Sequence, residues 1–125
     1  MKRYAAKLLF QFRVTIDGDS GKRRICEERI VLLNATSGRA ALAQAKRRGK
    51  KAQSNYENSD GNPVRFEFIG ILDLRCLDPE CENDEVWYDI VERLLPSERR
   101  AKLIPPESKL SAIWNESPKF RSMRF

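Results

Sequence analysis

Histidine is absent from this sequence of 125 residues, and the other residue types that often carry out catalysis form no recognisable constellation. Without histidine the chain lacks the commonest general base and the commonest metal ligand of proteins. It also contains no GxSxG, Walker or dinucleotide-binding glycine pattern. The sequence therefore predicts a protein that is not an enzyme, and it points to no cofactor.

Cysteine is scarce as well, with three residues in the chain. An odd number of cysteines, in a chain long enough to build its own core, favours reduced thiols over a disulfide framework. Cys76 and Cys81 are close in sequence, but a zinc site would need a second pair of ligands. We expect structural thiols, with Cys26 and Cys76 on the apolar face of the fold.

Long apolar runs are also missing, since the longest aliphatic run is Ile30 to Leu33. A membrane-spanning helix needs roughly 18 apolar residues, so none is expected and no membrane partner is indicated. Charged and polar residues interrupt the apolar stretch near the N-terminus, and no small-residue cleavage site follows it. We therefore expect a cytoplasmic protein.

Composition favours one folded domain, with 41% hydrophobic and 34% charged residues. Alternation of apolar and polar residues predicts strands at 4–16, 24–35 and 64–77, with a weaker fourth at 86–93. The turn residues at 17–21 predict a hairpin between the first two strands. Cys26, Ile30 and Leu32 are expected on the same sheet face as the even-numbered residues of the first strand.

A helix is predicted from Ser37, its N-cap, to about Tyr56. Its stripe of small residues, Ala41, Ala45 and Gly49 among them, indicates close contact with a sheet. Gly49 costs a helix interior on the order of 1 kcal/mol, and we interpret it as a site of close packing. The turn residues at 58–63 end the helix.

The predicted fold is α+β, with the element order ββαββ. A right-handed helical crossover gives a four-stranded antiparallel sheet of order 2-1-3-4, with one helix on the face of the even-numbered residues. Residues 1–95 form the domain, and 96–125 form a basic, proline-punctuated C-terminal extension that is partly helical or docked. The other face combines charges with large apolar residues, so the extension or a second protein should cover part of it: Leu9, Val31, Leu33, Ile69, Ile71, Trp87 and Val91.

The combined pattern resembles an uncharacterised bacterial family, domain of unknown function 4288, over about residues 4–95. This resemblance implies a small α+β domain without an established activity or catalytic residues. It rests on the following residues: Cys26 to Leu33, Ala35, Ser37, Ala41, Ala45, Tyr56 to Asn58, Gly61, Val64, Phe66, Phe68 to Gly70, Asp73 and Leu74.

Basic residues concentrate on the predicted helix and in the extension, which carries +4 of the net charge of +6. Such residues can bind the phosphates of nucleic acid, with aromatic side chains stacking on bases. They can equally form a solvated helix face and an amphipathic cover for the sheet, and we favour that interpretation. The candidate contacts for nucleic acid or another partner are Lys46, Arg47, Lys50, Lys51, Arg99, Arg100, Trp114 and Phe120.

A second candidate site lies on the charged sheet face. Its residues are Glu27, Arg29, Glu67, Asp73 and Trp87. The carboxylates could form a catalytic pair, but cross-strand ion pairing also accounts for them, and we favour ion pairing. The acidic run from Asp78 to Glu92 lacks the loop pattern of a calcium site and predicts an exposed acidic end.

These observations favour a protein-interaction or assembly module with a protein partner or a second copy of the chain. The alternative is a nucleic-acid-binding protein that uses the basic helix and tail.

Overall fold

The computed structural model describes residues 1–78 and 84–116. Cys81 and Phe120, which were considered above, lie outside these residues. The chain divides into two compact units, one comprising Met1–Tyr88 and the other beginning at Asp89. No helix within the described ranges is long and apolar enough to cross a membrane.

The first unit is a four-stranded sheet with one helix. Its elements are β1 (Lys2–Val14), β2 (Ile25–Ala35), α1 (Gly38–Lys51), β3 (Ser54–Glu57) and β4 (Pro63–Cys76). The strands lie in the order β2-β1-β4-β3, and every neighbouring pair is antiparallel. The α+β class and the four-stranded antiparallel sheet are therefore confirmed.

The predicted strand order 2-1-3-4 is wrong at one edge of the sheet. The strand predicted at 64–77 is β4, and it pairs with β1 as expected. Residues 86–93 form no strand. The outer position belongs to β3, which the sequence had placed at the end of the helix, because the turn at 58–62 folds residues 54–57 back onto β4.

The two faces of β2 are opposite to those predicted. Tyr4 pairs with Leu33 and Ala6 with Val31, so these odd-numbered residues share the helix-covered face of the sheet. Ile30 and Leu32 consequently lie on the open face, about half exposed, and Cys26 is exposed too. Because Ile30 to Leu33 are apolar on both sides, alternation alone could not fix the register.

Two irregularities in the β1–β4 pairing alter the faces of β4. Register shifts occur between Lys7 and Leu8 and between Leu9 and Phe10. As a result Ile71 packs against the core instead of lying on the open face. Leu72, which as an even-numbered residue was expected under the helix, is instead about half exposed, as is Ile69. The bulges interrupt the period of two on which the prediction for this strand depended.

The core lies between α1 and the sheet. The Ser37 hydroxyl accepts a hydrogen bond from the Ala40 N–H at 3.1 Å, which confirms the N-cap. Ala41 and Ala45 are fully buried, and Phe10 and Phe66 stack beneath the helix with ring centroids 4.7 Å apart. A Cβ atom on Gly49 would lie 2.5 Å from the Phe68 ring, so the expected close packing at this glycine is confirmed.

The second unit contains short helices. These are α2 (Arg100–Leu103), a 3-10 turn (Glu107–Lys109) and α3 (Ser111–Asn115). They lie within residues 96–125, the extension that the sequence predicts to be partly helical or docked. The proposed domain boundary between residues 95 and 96, and the docking of the extension, stay predictions.

Candidate functional site

The C-terminal half of α1 carries a dense basic surface. The helix contains six basic residues and no acidic residue. A groove of about 740 Å³ lies against it, lined by Leu33, Gln44, Arg47, Arg48, Lys50 and Lys51. Within residues 1–78 and 84–116, no ion pair joins the basic side chains of residues 46–51 to an acid. The structure thus brings three of the four basic helix candidates, Arg47, Lys50 and Lys51, to one groove without acidic partners, whereas Lys46 lines the groove described next.

A second groove lies on the other side of the same helix. It has a volume of about 500 Å³, and Lys46, Lys50 and Gln53 face the bulged part of β4 across it. Gln53 Oε1 accepts a hydrogen bond from the Phe68 N–H at 3.1 Å, which satisfies a backbone donor that β3 is too short to reach. This groove combines cationic side chains with the apolar surface of Phe68 and Ile69.

The candidates of the extension belong to the second unit. Arg99 precedes α2 and donates from Nη1 to the Leu94 carbonyl oxygen at 3.1 Å. Arg100 is exposed in the first turn of α2, and Trp114 is half-buried in α3. Phe120 lies outside the described residues.

The sheet-face candidates do not form one site. Glu27 and Arg29 lie on the helix side of the sheet, joined by a 2.7 Å hydrogen bond, and the Arg29 guanidinium covers the Phe10 ring at 4.7 Å. Their predicted position on the opposite face is wrong, because the β2 register reverses the faces of that strand.

Glu67 and Asp73 do lie on the open face, each beside a basic residue. Glu67 forms an ion pair with Arg13 at 2.8 Å, and Asp73 lies 3.7 Å from Arg75. Ion pairing accounts for both carboxylates, whereas a catalytic pair would require them to lie together.

Trp87 covers one end of the open face. It packs with Ala5 and Leu77, both of which are fully buried. The Arg75 guanidinium lies 4.4 Å from the centre of the Trp87 ring. Part of the open face is therefore covered by residues that follow β4 within the same unit.

Asp78 joins the start of β1 to the chain segment that follows β4. This carboxylate accepts hydrogen bonds from the Arg3 N–H at 2.9 Å and from Arg3 Nε at 3.0 Å. The backbone hydrogen bond, followed by the one from the side chain, holds the pKa of Asp78 below its usual value of 3.8. Nearby, burial raises the pKa of the Tyr4 hydroxyl above 10.0.

The outer edge of β2 is a candidate binding surface that was not predicted from the sequence. The Arg3 carbonyl and the Thr15 N–H both bond toward β4, so the odd-numbered residues of β1 direct their backbone groups to that strand. The even-numbered residues of β1 then bond to odd-numbered residues of β2. Consequently the N–H and C=O groups of Cys26, Glu28, Ile30 and Leu32 point away from the sheet.

This free edge has a defined end. Beyond Leu32, the next outward carbonyl belongs to Asn34, and it accepts a hydrogen bond from Gln44 Nε2 of α1 at 3.0 Å. In the part of the chain that the structure describes, no strand pairs with the edge. The signal in the sequence was an eleven-residue strand without proline or glycine, but only the observed order places it at an edge.

Comparison with known proteins gives one family. A family model described as Domain of unknown function (DUF4288) matches residues 3–87. No curated protein and no solved structure matches the chain. The matched range includes β1 from its second residue, the other three strands of the sheet and α1. Since it also covers more than half of the sequence, the chain belongs to the domain of unknown function 4288 family.

Proposed function

We propose that this protein is an interaction module whose sheet accepts a strand from a protein partner along the free edge of β2. The observation that carries this proposal is the row of outward backbone groups from Cys26 to Leu32. A long exposed edge without proline or a bulge is a template for pairing with another chain. Many peptide-binding proteins use such strand addition, in which backbone hydrogen bonds supply affinity.

Side chains of the edge strengthen the proposal. Ile30 and Leu32 expose 49% and 52% of their surface on the open face, beside the outward backbone groups. Soluble proteins usually protect long edges by a charge, a proline or a covering loop. Here Glu28 is the one acid on that row, and Lys7 lies 3.7 Å from it.

The experiment is affinity capture from the native cell extract, after nuclease treatment, with the full chain and with an Ile30→Pro variant. Proline removes one outward N–H donor but leaves the β1–β2 hydrogen bonds in place, because Ile30 does not bond to β1. Bound proteins should survive nuclease and be lost with the variant.

Ile30→Ala is the matched control, since it removes the side chain and keeps the donor. Circular dichroism should show that both variants are folded. Undiminished capture by the folded Ile30→Pro protein would contradict strand addition.

A second candidate function is binding of nucleic acid on the basic surface of α1. It is favoured by the five basic side chains within residues 46–51, which have no acidic partner among the described residues. Like charges four residues apart, as in Lys46 and Lys50, destabilise a helix. Arg48, Lys50 and Lys51 lie in the last turn, where the helix dipole favours cations, and a cluster of this charge density can bind phosphate groups.

The test is titration of a fluorescent single-stranded oligonucleotide at several salt concentrations. The wild type should bind with a steep salt dependence, because each neutralised phosphate releases a counterion. A variant with glutamine at Lys46, Arg47, Lys50 and Lys51 should lose most of this affinity. Binding that is insensitive both to salt and to these substitutions would contradict the second candidate.

A further inference from the structure

We infer that the strand added to β2 is the β2 strand of a second copy of this chain, paired antiparallel about a twofold axis at Arg29. This inference rests on the proposed function and names its partner. A twofold axis perpendicular to the sheet keeps each side chain on its own face, so even-numbered residues oppose even-numbered ones.

The backbone groups select the position of the axis. With the axis at Arg29, Cys26 faces Leu32 of the second copy and Glu28 faces Ile30, so every outward N–H meets an outward carbonyl. An axis at Glu28 would place Leu32 opposite residue 24, outside the strand. An axis at Ile30 would place Cys26 opposite Asn34, whose carbonyl already bonds to Gln44.

The side chains on the open face also favour a twofold axis at Arg29. Leu32 of each copy meets Cys26 of the other, which joins two exposed apolar surfaces. Ile30 packs against the methylene groups of Glu28, whose carboxylate retains Lys7 as its counterion.

The helix-side face contributes charge complementarity. Each Arg29 is bonded to Glu27 of its own chain, so the two facing arginines are already neutralised. In an antiparallel pair the Glu27 of the second copy lies diagonally opposite Arg29, within reach of a long side chain. The four charges therefore alternate in sign around the axis and sum to zero.

One strand pair buries less than the roughly 1,200 Å² of a standard interface, so the dimer should be weak and concentration-dependent. Sedimentation of the full chain between about 1 and 300 µM should show a shift from monomer to dimer, as expected for a contact of this size. Leu32→Lys should raise the dissociation constant at least tenfold, by placing a charge against Cys26. Leu72→Lys is the matched control, because Leu72 is 49% exposed on β4, and it should leave dimerisation unchanged.

Cross-linking tests the register. In a Leu32→Cys variant, each new thiol lies opposite the native Cys26 of the other copy, at the Cα separation of about 5.5 Å that a disulfide accepts. Diamide, which takes up two electrons and two protons per bond, should yield a covalent dimer. Peptide mapping should show the 26–32 link. An Ile30→Cys variant, equally exposed but diagonal to Cys26, should cross-link at least tenfold more slowly.

The outcomes separate this inference from the proposed function. A 26–30 link in preference to 26–32 would overturn the register. A protein that stays monomeric throughout the concentration series, yet captures another protein in an Ile30→Pro-sensitive manner, would overturn the dimer and support the function. Capture that ignores Ile30→Pro, with no dimer, would overturn both.

Discussion

Gly49 shows how closely α1 approaches the sheet. A helix normally favours alanine over glycine by about 1 kcal/mol, so Gly49→Ala would stabilise an isolated helix. In the folded protein the new methyl group would lie 2.5 Å from the Phe68 ring, well inside contact distance. Overpacking of this kind costs about 1–3 kcal/mol. The helix preference offsets part of this cost, so we expect a net loss of up to about 2 kcal/mol in the free energy of unfolding, measured with urea.

The Phe68→Leu background is the control for this prediction. It removes the ring atoms that the methyl group would meet, so Gly49→Ala should there be neutral or stabilising by up to about 1 kcal/mol. A Gly49→Ala protein that is more stable than wild type would show that the helix and the sheet are not in contact at this residue.

Asp78 should make stability depend on acid pH. Its pKa is lowered in the folded protein by the hydrogen bonds from Arg3, so the folded state binds the proton less readily than the unfolded state. The stabilisation is therefore complete above the usual value of 3.8 and is lost as pH falls through the folded pKa.

The Asp78→Asn variant tests this linkage by urea unfolding at pH 7 and near pH 3. It should unfold at a lower urea concentration than wild type at pH 7, and the difference should narrow at the lower pH. Asp60→Asn, at the exposed turn, removes the same charge and should change the free energy of unfolding by less than about 0.5 kcal/mol. An Asp78→Asn deficit that is equal at both pH values would contradict the assigned role.

Elements that are specified by one regular local pattern could be predicted from the sequence. The alternation of β1, the hairpin turn after it and the Ser37 cap all describe local geometry, which a single segment specifies. The end of α1 was not predictable in this way, because Ala52 and Tyr56 continue its spacing by coincidence. Residues 54–57 form a strand despite this spacing, because they pair with β4 and gain backbone hydrogen bonds to it. These bonds depend on the tertiary structure and leave no signal in the local sequence.

The candidate sites differ in the same way, since some depend on one segment and others on the whole sheet. The basic surface of α1 could be predicted because it belongs to one helix. The free edge of β2 could not, since being at an edge is a property of the whole sheet. The sheet face predicted for Glu27 and Arg29 was wrong, because a strand that is apolar on both sides does not fix its own register.

The β3–β4 hairpin supplies a prediction at this scale. Asn58 Oδ1 accepts hydrogen bonds from the N–H groups of Asp60 and Asn62, and these bonds hold the turn that brings β3 to the sheet. Asn58→Ala should lower the free energy of unfolding by about 1–2 kcal/mol and increase the hydrogen exchange of β3 amides. Ser59→Ala changes the adjacent exposed residue and should have little effect. Unchanged exchange in β3 upon Asn58→Ala would show that the turn is not what holds this strand.

At the scale of the whole molecule, the proposed dimer links the two candidate functions. A twofold axis perpendicular to the sheet places both α1 helices on the same side of one continuous sheet. Each helix brings six basic residues, so the dimer presents two cationic surfaces to a single polyanion. Binding of a polyanion long enough to reach both should then strengthen dimerisation, and by linkage dimerisation should strengthen binding to the same degree.

This coupling predicts a dependence on ligand length. Leu32→Lys adds a positive charge on the open face of the sheet, away from α1, and we expect it to weaken the proposed dimer. It should therefore lower the affinity for a long single-stranded oligonucleotide of about 40 nucleotides by roughly tenfold, as expected when a second site is lost. Its affinity for one of about 8 nucleotides, too short to reach both helices, should change little. Fluorescence anisotropy at fixed ionic strength measures both, with Leu72→Lys as the charge-matched control. An equal response of the two oligonucleotides to Leu32→Lys would show that the helices bind independently and that the dimer does not unite them.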